Sequence, residues 1–195
     1  LRATDAWRRA HVIKCNPDSP QWPVRQRALE DGKVVVMAVP RLAEDPPFLV
    51  LDPDHLAVTP REASSIKGAG RHGVPTAVED LDAIDLVVQG CVAVDLDGAR
   101  LGKGGGFADL ELAITSAAGL LAADVAVATT VHDSQVVDVG RIPLADHDVR
   151  LDLVVTPTRT VEVTRSGAAA PAIHWDALTD AKVDAIPLLA RLRPA

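Results

Sequence analysis

Five short runs of β-branched residues constrain the fold of this chain more than any other feature of its sequence. None of them alternates apolar and polar residues, and a turn residue or a polar residue ends each one. Strands that are buried on both faces have this pattern, which is typical of parallel sheets. The runs are HVIKCNP (residues 11–17), KVVVMAVP (33–40), DLVVQGCVAV (85–94), DVAVATTVH (124–132) and LDLVVTPT (151–158).

Helix signals lie between these runs. Ser19 followed by Pro20 predicts an N-cap and a first helical residue, QWPVRQRALED supplies the turns, and Gly32 predicts a left-handed end. A second helix is predicted over DLELAITSAAGLLAAD, residues 109–124, whose acidic first turn suits the helix dipole. Strands alternating with helices predict the α/β class: a Rossmann-like open sheet, mostly parallel, with helices on both faces.

The remaining segments are less regular. Residues 46–80 are rich in Pro, Gly, Ser and charge, with FLVLD as a further strand candidate, which predicts an excursion over the sheet. The tail from Ile173 predicts one or two short helices interrupted at Pro187. With 195 residues, of which 48% are hydrophobic, one core is the default, so we predict a single domain over residues 1–195. Because the sequence does not start with Met, we also expect a leading segment to be missing from it.

Charge, cysteine content and hydropathy exclude several classes of protein. The net charge is −7 and the Lys and Arg residues are scattered, so no nucleic-acid partner is expected. Cys15 and Cys91 lie far apart, which predicts neither a disulfide framework nor a zinc site, and indicates reduced thiols in the cytoplasm. No apolar run reaches the roughly 18 to 20 residues that span a bilayer, so no membrane association is expected.

The segment GARLGKGGGFADLE, residues 98–111, contains five glycines and two cations within nine residues. It follows a predicted strand and precedes a predicted helix, so its amides can point at an anion held at the helix N-terminus. Arg100 and Lys103 would supply the countercharge. The segment matches neither of the two commonest nucleotide-binding fingerprints. Phosphate binding and a flexible hairpin with solvated cations both remain open on spacing alone.

Residues 100–109 of this segment, RLGKGGGFAD, resemble the glycine motif R-x-G-x-G-x-G-Y-Y-D-R of the 5-formyltetrahydrofolate cyclo-ligases, also called methenyltetrahydrofolate synthetases. The preceding DLVVQGCVAVDLDGARLG and the later VHDSQVV and LADHDVRLDLVVTPT resemble further blocks of that family at matching spacing. FADLE, KCNPDSPQ and AVPRL are most similar to a divergent branch, the methenyltetrahydrofolate-synthetase-domain proteins.

The resemblance implies an ATP- and Mg²⁺-dependent enzyme that converts 5-formyltetrahydrofolate to 5,10-methenyltetrahydrofolate. It implies catalytic roles for Arg100, Lys103 and His132, and a magnesium site at Asp109 and Asp148. The residues implied to bind the nucleotide are Gly102, Lys103, Gly104, Gly105, Gly106, Phe107 and Asp109. Those implied to bind a folate or folate-like small molecule are Phe107, Ala108 and Gln135. A monomer or a homodimer is expected.

Some positions depart from the family pattern or allow a second interpretation. Ala108 replaces the second tyrosine of the motif and Leu110 the arginine, which weakens stacking on the pterin. His132 is either a hydrogen-bonded structural residue or a proton carrier. Asp109 is either a metal ligand or a helix N-terminal carboxylate, and the pair His147 and Asp148 is either part of the nucleotide site or a polar turn.

The family's N-terminal lysines that reach ATP have no match, and Lys14 is the nearest remaining cation. Two functions therefore stand after the sequence alone. One is a cyclo-ligase acting on 5-formyltetrahydrofolate or on a related formyl or amide substrate. The other is a nucleotide-binding or regulatory paralogue without ligase turnover.

Overall fold

A computed structural model describes residues 1–163 and 171–194. Five parallel strands form the centre of its sheet. They are β1 (Val12–Cys15), β2 (Val34–Ala38), β5 (Ile84–Val88), β8 (Leu121–Thr130) and β9 (Leu153–Val155). Antiparallel strands extend both edges: β3 (Phe48–Leu51) and β4 (Val74–Thr76) beyond β2, and β10 (Thr160–Glu162) beyond β9. The strand order is β10-β9-β8-β5-β1-β2-β3-β4, which confirms the predicted open, mostly parallel sheet.

Helices cover both faces of the sheet, as predicted. On one face α1 (Asp5–Arg9), α2 (Trp22–Glu30), α3 (Pro60–Ala63) and α4 (Ile66–His72) bury side chains such as Trp7 and Leu29 against Ile13 and Leu86. On the other face α5 (Phe107–Ala117), α6 (Asp180–Asp184) and α7 (Pro187–Leu192) pack on the alternate strand residues. Successive strand residues therefore enter opposite cores, which is why the five runs lack polar alternation.

The predicted strand over residues 85–94 was too long. It ends at Val88, because the chain leaves the sheet at Gly90, whose amide donates to Asn16 Oδ1 at 3.1 Å. The next residues form a separate hairpin of β6 (Ala93–Val94) and β7 (Arg100–Leu101). This hairpin delivers the glycine-rich segment to the edge where β5 ends.

The predicted helix over residues 109–124 was displaced. It begins earlier, at Phe107, and ends at Ala117, because Gly119 adopts a left-handed φ of 72° and the chain then enters β8 at Leu121. The apolar residues after Gly119 belong to a strand, and their composition alone does not distinguish a strand from a helix.

Of the predictions for single turns and segments, some were confirmed and others were wrong. Gly32 has the predicted left-handed conformation, with φ of 72°. Ser19 is not the N-cap of the first predicted helix, because residues 19–21 form a short 3₁₀ turn that Asp18 precedes, and α2 begins after it. Residues 46–80 lie over one face of the sheet through α3 and α4, as predicted, and also extend its edge through β3 and β4. Pro187 begins α7 directly after α6, as the tail pattern indicated.

In the part of the chain that the structure describes, no helix is both long enough and apolar enough to cross a bilayer.

Candidate functional site

A cavity of about 520 Å³ opens where the central parallel strands end. The carboxyl ends of parallel strands meet at one edge of a sheet, where ligands of open α/β folds bind. The loops after β1, β2 and β5, the end of β8 and the glycine-rich segment all contribute to its wall. Its lining includes Asn16, Asp18, Pro40, Arg41, Cys91, Arg100, Gly102, Lys103, Gly105, Gly106, Phe107, Ala108, Asp109, Glu111, Thr130 and Gln135.

The glycine loop, residues 102–106, presents free backbone donors beside this cavity. None of the amides of these five residues donates a hydrogen bond to residues 1–163 or 171–194. Gly104 and Gly106 have φ values of 85° and 63°, which side-chain-bearing residues rarely adopt. Gly106 is also the N-cap of α5 and offers that helix no side-chain cap. Unpaired amides at a helix N-terminus form a site for an anion.

Arg100 begins β7, just before the loop, and only 4% of its side chain is exposed. Its guanidinium forms an ion pair with Asp109 in the first turn of α5. Its Nε is buried and has no hydrogen-bond partner among the described residues. A buried donor without a partner is costly, so this atom is a candidate contact for a ligand oxygen.

Lys103 closes one side of the cavity. Its Nζ lies 2.6 Å from Asp18 Oδ1, and 70% of its side chain is exposed. Asp18 precedes the short turn after β1, so this contact links the glycine loop to the neighbouring loop. An exposed ion pair contributes little to stability, and Lys103 is therefore free to exchange Asp18 for an incoming anion.

A buried ionic cluster forms the floor of the cavity. Lys14 Nζ in β1 lies 2.6 Å from Glu111 Oε2 in α5, and Asn16 Nδ2 donates to the same oxygen at 2.8 Å. The two charged side chains are 0% and 4% exposed. Glu111 thus holds the ammonium of Lys14, the nearest cation to the position of the family's unmatched N-terminal lysines. Asn16 and Glu111 line the cavity.

Sequence reasoning missed Glu111, although a signal for it was present. A lysine inside a run that is buried on both faces requires a carboxylate partner. Glu111 lies one helical turn after Phe107, on the face of α5 that meets the cavity. The sequence alone did not show that this helix crosses the end of β1.

The predicted substrate residues lie together. Phe107 and Ala108 line the cavity, and Ala108 O accepts a hydrogen bond from Gln89 Nε2 at 2.9 Å. Gln135 lines it too, and its Nε2 donates to the carbonyl oxygens of Cys91 and Val92 at 3.2 and 3.0 Å. Burial raises the pKa of the Cys91 thiol, so this cavity residue is a neutral thiol at neutral pH.

His132 and Asp148 are not among the residues that line the cavity. His132 is exposed, and its Nδ1 accepts from the Ser134 amide at 3.2 Å in a capping box that begins a short 3₁₀ turn. Asp148 Oδ2 accepts from the Ala145 amide at 2.8 Å. The structure thus gives both side chains local turn contacts, which were the alternative interpretations of these residues. Gly104 is absent from the lining too, although its conformation shapes the loop.

Asp109 is the predicted metal ligand that does face the cavity. Its Oδ1 accepts from Arg100 and, at 3.4 Å, from the Val149 amide, whereas its Oδ2 makes no hydrogen bond with the described residues. Within residues 1–163 and 171–194, no group of three or more His, Cys, Asp or Glu side chains is placed to hold a metal ion. Magnesium in nucleotide sites uses only one or two carboxylates, with phosphate oxygens and water completing its shell.

The sequence of this chain is similar to those of known proteins. The model of the 5-formyltetrahydrofolate cyclo-ligase family matches residues 1–157. Methenyltetrahydrofolate synthase domain-containing proteins of Bos taurus and Mus musculus are 35% and 36% identical, over 96% and 94% of this chain. The chain spans 50% of each of these relatives. A 5-formyltetrahydrofolate cyclo-ligase of Mycolicibacterium smegmatis is 36% identical over 45% of the chain and 41% of that protein.

The buried cluster generates the first testable prediction. Glu111→Leu leaves the Lys14 ammonium buried without a counterion, so the free energy of unfolding, measured with urea, should fall by about 3 to 5 kcal/mol. The double variant Lys14→Met, Glu111→Leu removes both charges and should recover most of this loss. A double variant as unstable as the sum of its two single variants would show that the two charges do not interact.

Proposed function

The chain belongs to the 5-formyltetrahydrofolate cyclo-ligase family, and on that premise we propose that it binds ATP with Mg²⁺ at the glycine loop. We further propose that it uses this ATP to cyclise 5-formyltetrahydrofolate, or a related formyl or amide compound. The observation that carries the proposal is the row of unpaired amides at residues 102–106, directly before α5 and beside the cavity. Triphosphate oxygens are acceptors of the kind that such a row requires.

Two cations support this assignment. Arg100 is held by Asp109, and its buried Nε has no hydrogen-bond partner among the described residues. Lys103 stands at the mouth of the cavity in an exchangeable pair with Asp18. In the proposed complex both neutralise negative charge that shifts during phosphoryl transfer, and that electrostatic role is the main contribution of protein groups to such reactions.

The arrangement around Asp109 suits magnesium. Arg100 occupies one oxygen of Asp109, and the other makes no hydrogen bond with the residues that the structure describes, so it could bind a cation shared with phosphate. Magnesium bound there would draw charge from the phosphate oxygens. Asp148 has no part in this proposal, because its carboxylate is engaged with the Ala145 amide.

The proposed reaction transfers the γ-phosphoryl group of ATP to the formyl oxygen, and ADP leaves. A neighbouring nitrogen then attacks the formyl carbon, the carbon–oxygen bond breaks, and phosphate departs to give the 5,10-methenyl product. The chain's own residues position the reactants, and alignment of attacking oxygen and phosphorus is what lowers the barrier. Phe107, Ala108 and Gln135 form the wall nearest the glycine loop that would hold the substrate.

One feature of the cavity favours a second function. Ala108 lines the wall where the family motif places a tyrosine, so an aromatic contact for a folate ring is lost there. A paralogue that binds nucleotide without ligase turnover would retain the loop and lose this contact. The relatives of Bos taurus and Mus musculus are named as proteins that contain the synthase domain, and not as the synthase itself. We also propose a cytoplasmic location, since Cys15 and Cys91 are free thiols.

Loss of the Lys103 charge tests the nucleotide assignment. Lys103→Ala should weaken MgATP binding by about 1.5 kcal/mol, or roughly tenfold in Kd, because one charge-assisted contact is removed. The urea midpoint should be unchanged, since the side chain is mostly exposed. Arg71→Ala, which removes an exposed cation on α4, is the control and should bind as wild type does. Calorimetry in which the wild-type protein binds no MgATP at millimolar concentration would contradict the proposal.

Restoring the aromatic wall tests the choice of substrate. We expect wild-type protein to convert 5-formyltetrahydrofolate slowly or not at all, and Ala108→Tyr to raise the rate roughly tenfold, about 1.4 kcal/mol of barrier. The rate is followed by absorbance of the methenyl product, and Ala108→Leu serves as a control of similar bulk without a ring. Rapid conversion by wild-type protein, or a folded tyrosine variant that binds the folate no better, would show that position 108 does not limit turnover.

A further inference from the structure

The C-terminal segment supplies a third cation to the glycine loop. Lys182 in α6 donates from its Nζ to Gly105 O at 2.6 Å, and the same ammonium lies 5.1 Å from the centre of the Phe107 ring. The family model ends at residue 157, so this contact comes from beyond the matched region. Nothing in the glycine motif itself requires a lysine from the tail.

Packing fixes the backbone that carries Lys182. The adjacent Val183 is 3% exposed and Ile186 is 1% exposed, and both belong to the core cluster that contains Leu110 and Leu112 of α5. Thr179 caps α6 and accepts a hydrogen bond from the Lys182 amide at 3.2 Å. The C-terminal helix is therefore anchored to the helix that begins at the glycine loop, and its lysine is held close to that loop.

The position of Lys182 relative to the loop is specific. Lys182 lines a small cavity of about 80 Å³ together with Gly106, and it is not one of the described residues that line the main cavity. Gly106 lines both. Lys182 thus contacts the loop from outside the main cavity.

We propose that Lys182 is a positioning residue of the nucleotide site, which turns the Gly106 amide toward the phosphates by holding the Gly105 carbonyl behind the loop. The carbonyl of Gly105 and the N–H of Gly106 share one planar trans peptide, so they point in opposite directions. An ammonium that fixes the carbonyl on one side therefore presents the N–H on the other. This inference rests on the proposed function.

The same contacts limit the space for a side chain at two glycines of the loop. A Cβ at Gly106 would lie 3.3 Å from Lys182 Nζ, and Gly106 already has a left-handed φ. A Cβ at Gly105 would lie 2.8 Å from the Phe107 ring. A side chain at Gly105 would therefore displace the Phe107 ring, and one at Gly106 would be strained by its dihedral angle, whether or not a phosphate is bound.

Two variants separate positioning from simple anchoring of the tail. Lys182→Met keeps an unbranched side chain over Phe107 but removes the charge and the donors, and Lys182→Arg restores both. Arg193→Met is the matched control, because it removes a cation of the same segment that forms an exposed ion pair with Asp180. Each variant is measured for MgATP affinity by calorimetry, for the urea midpoint, and for hydrogen exchange of the Gly106 amide with MgATP at saturation.

For Lys182→Met we expect MgATP binding to weaken roughly tenfold, the Gly106 amide to be less protected from exchange at saturating MgATP, and the urea midpoint to be unchanged. Lys182→Arg should bind within about threefold of wild type, and Arg193→Met should equal wild type. Unchanged affinity and exchange in Lys182→Met would overturn this inference while leaving the proposed function intact. A lowered urea midpoint with unchanged exchange would also overturn it, as simple anchoring. Wild-type protein that binds no MgATP would contradict the proposed function and, with it, the nucleotide role of Lys182.

Discussion

The ion pair between Lys14 and Glu111 is the interaction on which the geometry of the site depends. A lysine in the central strand of a sheet covered on both faces has no water to solvate it, so its charge requires a partner inside the core. That partner comes from α5, whose helix carries Leu112 and Ile114 into the same core. The pair therefore places the start of α5 at the carboxyl end of β1, and the glycine loop with it. Asn16 adds a neutral donor to the same carboxylate oxygen.

Next to this ion pair, the site combines backbone amides of the glycine loop with two cationic side chains. The loop offers backbone amides as donors. A ligand can reach them only if it comes close to the backbone, and glycines leave the space for that approach. Arg100 is buried and oriented by Asp109, whereas Lys103 is exposed and held only by Asp18. In the proposed complex, the buried Arg100 and the exposed Lys103 would together neutralise the charge of a bound polyphosphate.

Sequence patterns predicted the parts of this architecture that depend on local chemistry. The buried runs predicted the parallel sheet, because burial on both faces leaves a continuous apolar signature. The sequence also predicted the glycine loop and its position before a helix. The end of β5 and the start of β8 were misplaced, since Gly90 and Gly119 end elements through contacts and dihedral angles that composition does not encode. The partners Glu111 and Lys182 could not be found, because both act across pairs of elements that are distant along the chain.

The central claim is that the amides of the glycine loop bind phosphate, and hydrogen exchange with and without MgATP tests it most directly. Free amides exchange quickly, and an amide that donates to a bound oxygen is protected. The account predicts that MgATP slows exchange at residues 102–108 and leaves the antiparallel edge at β3 and β4 unchanged. Binding of MgATP with protection at that edge, or at no residue of the loop, would contradict it.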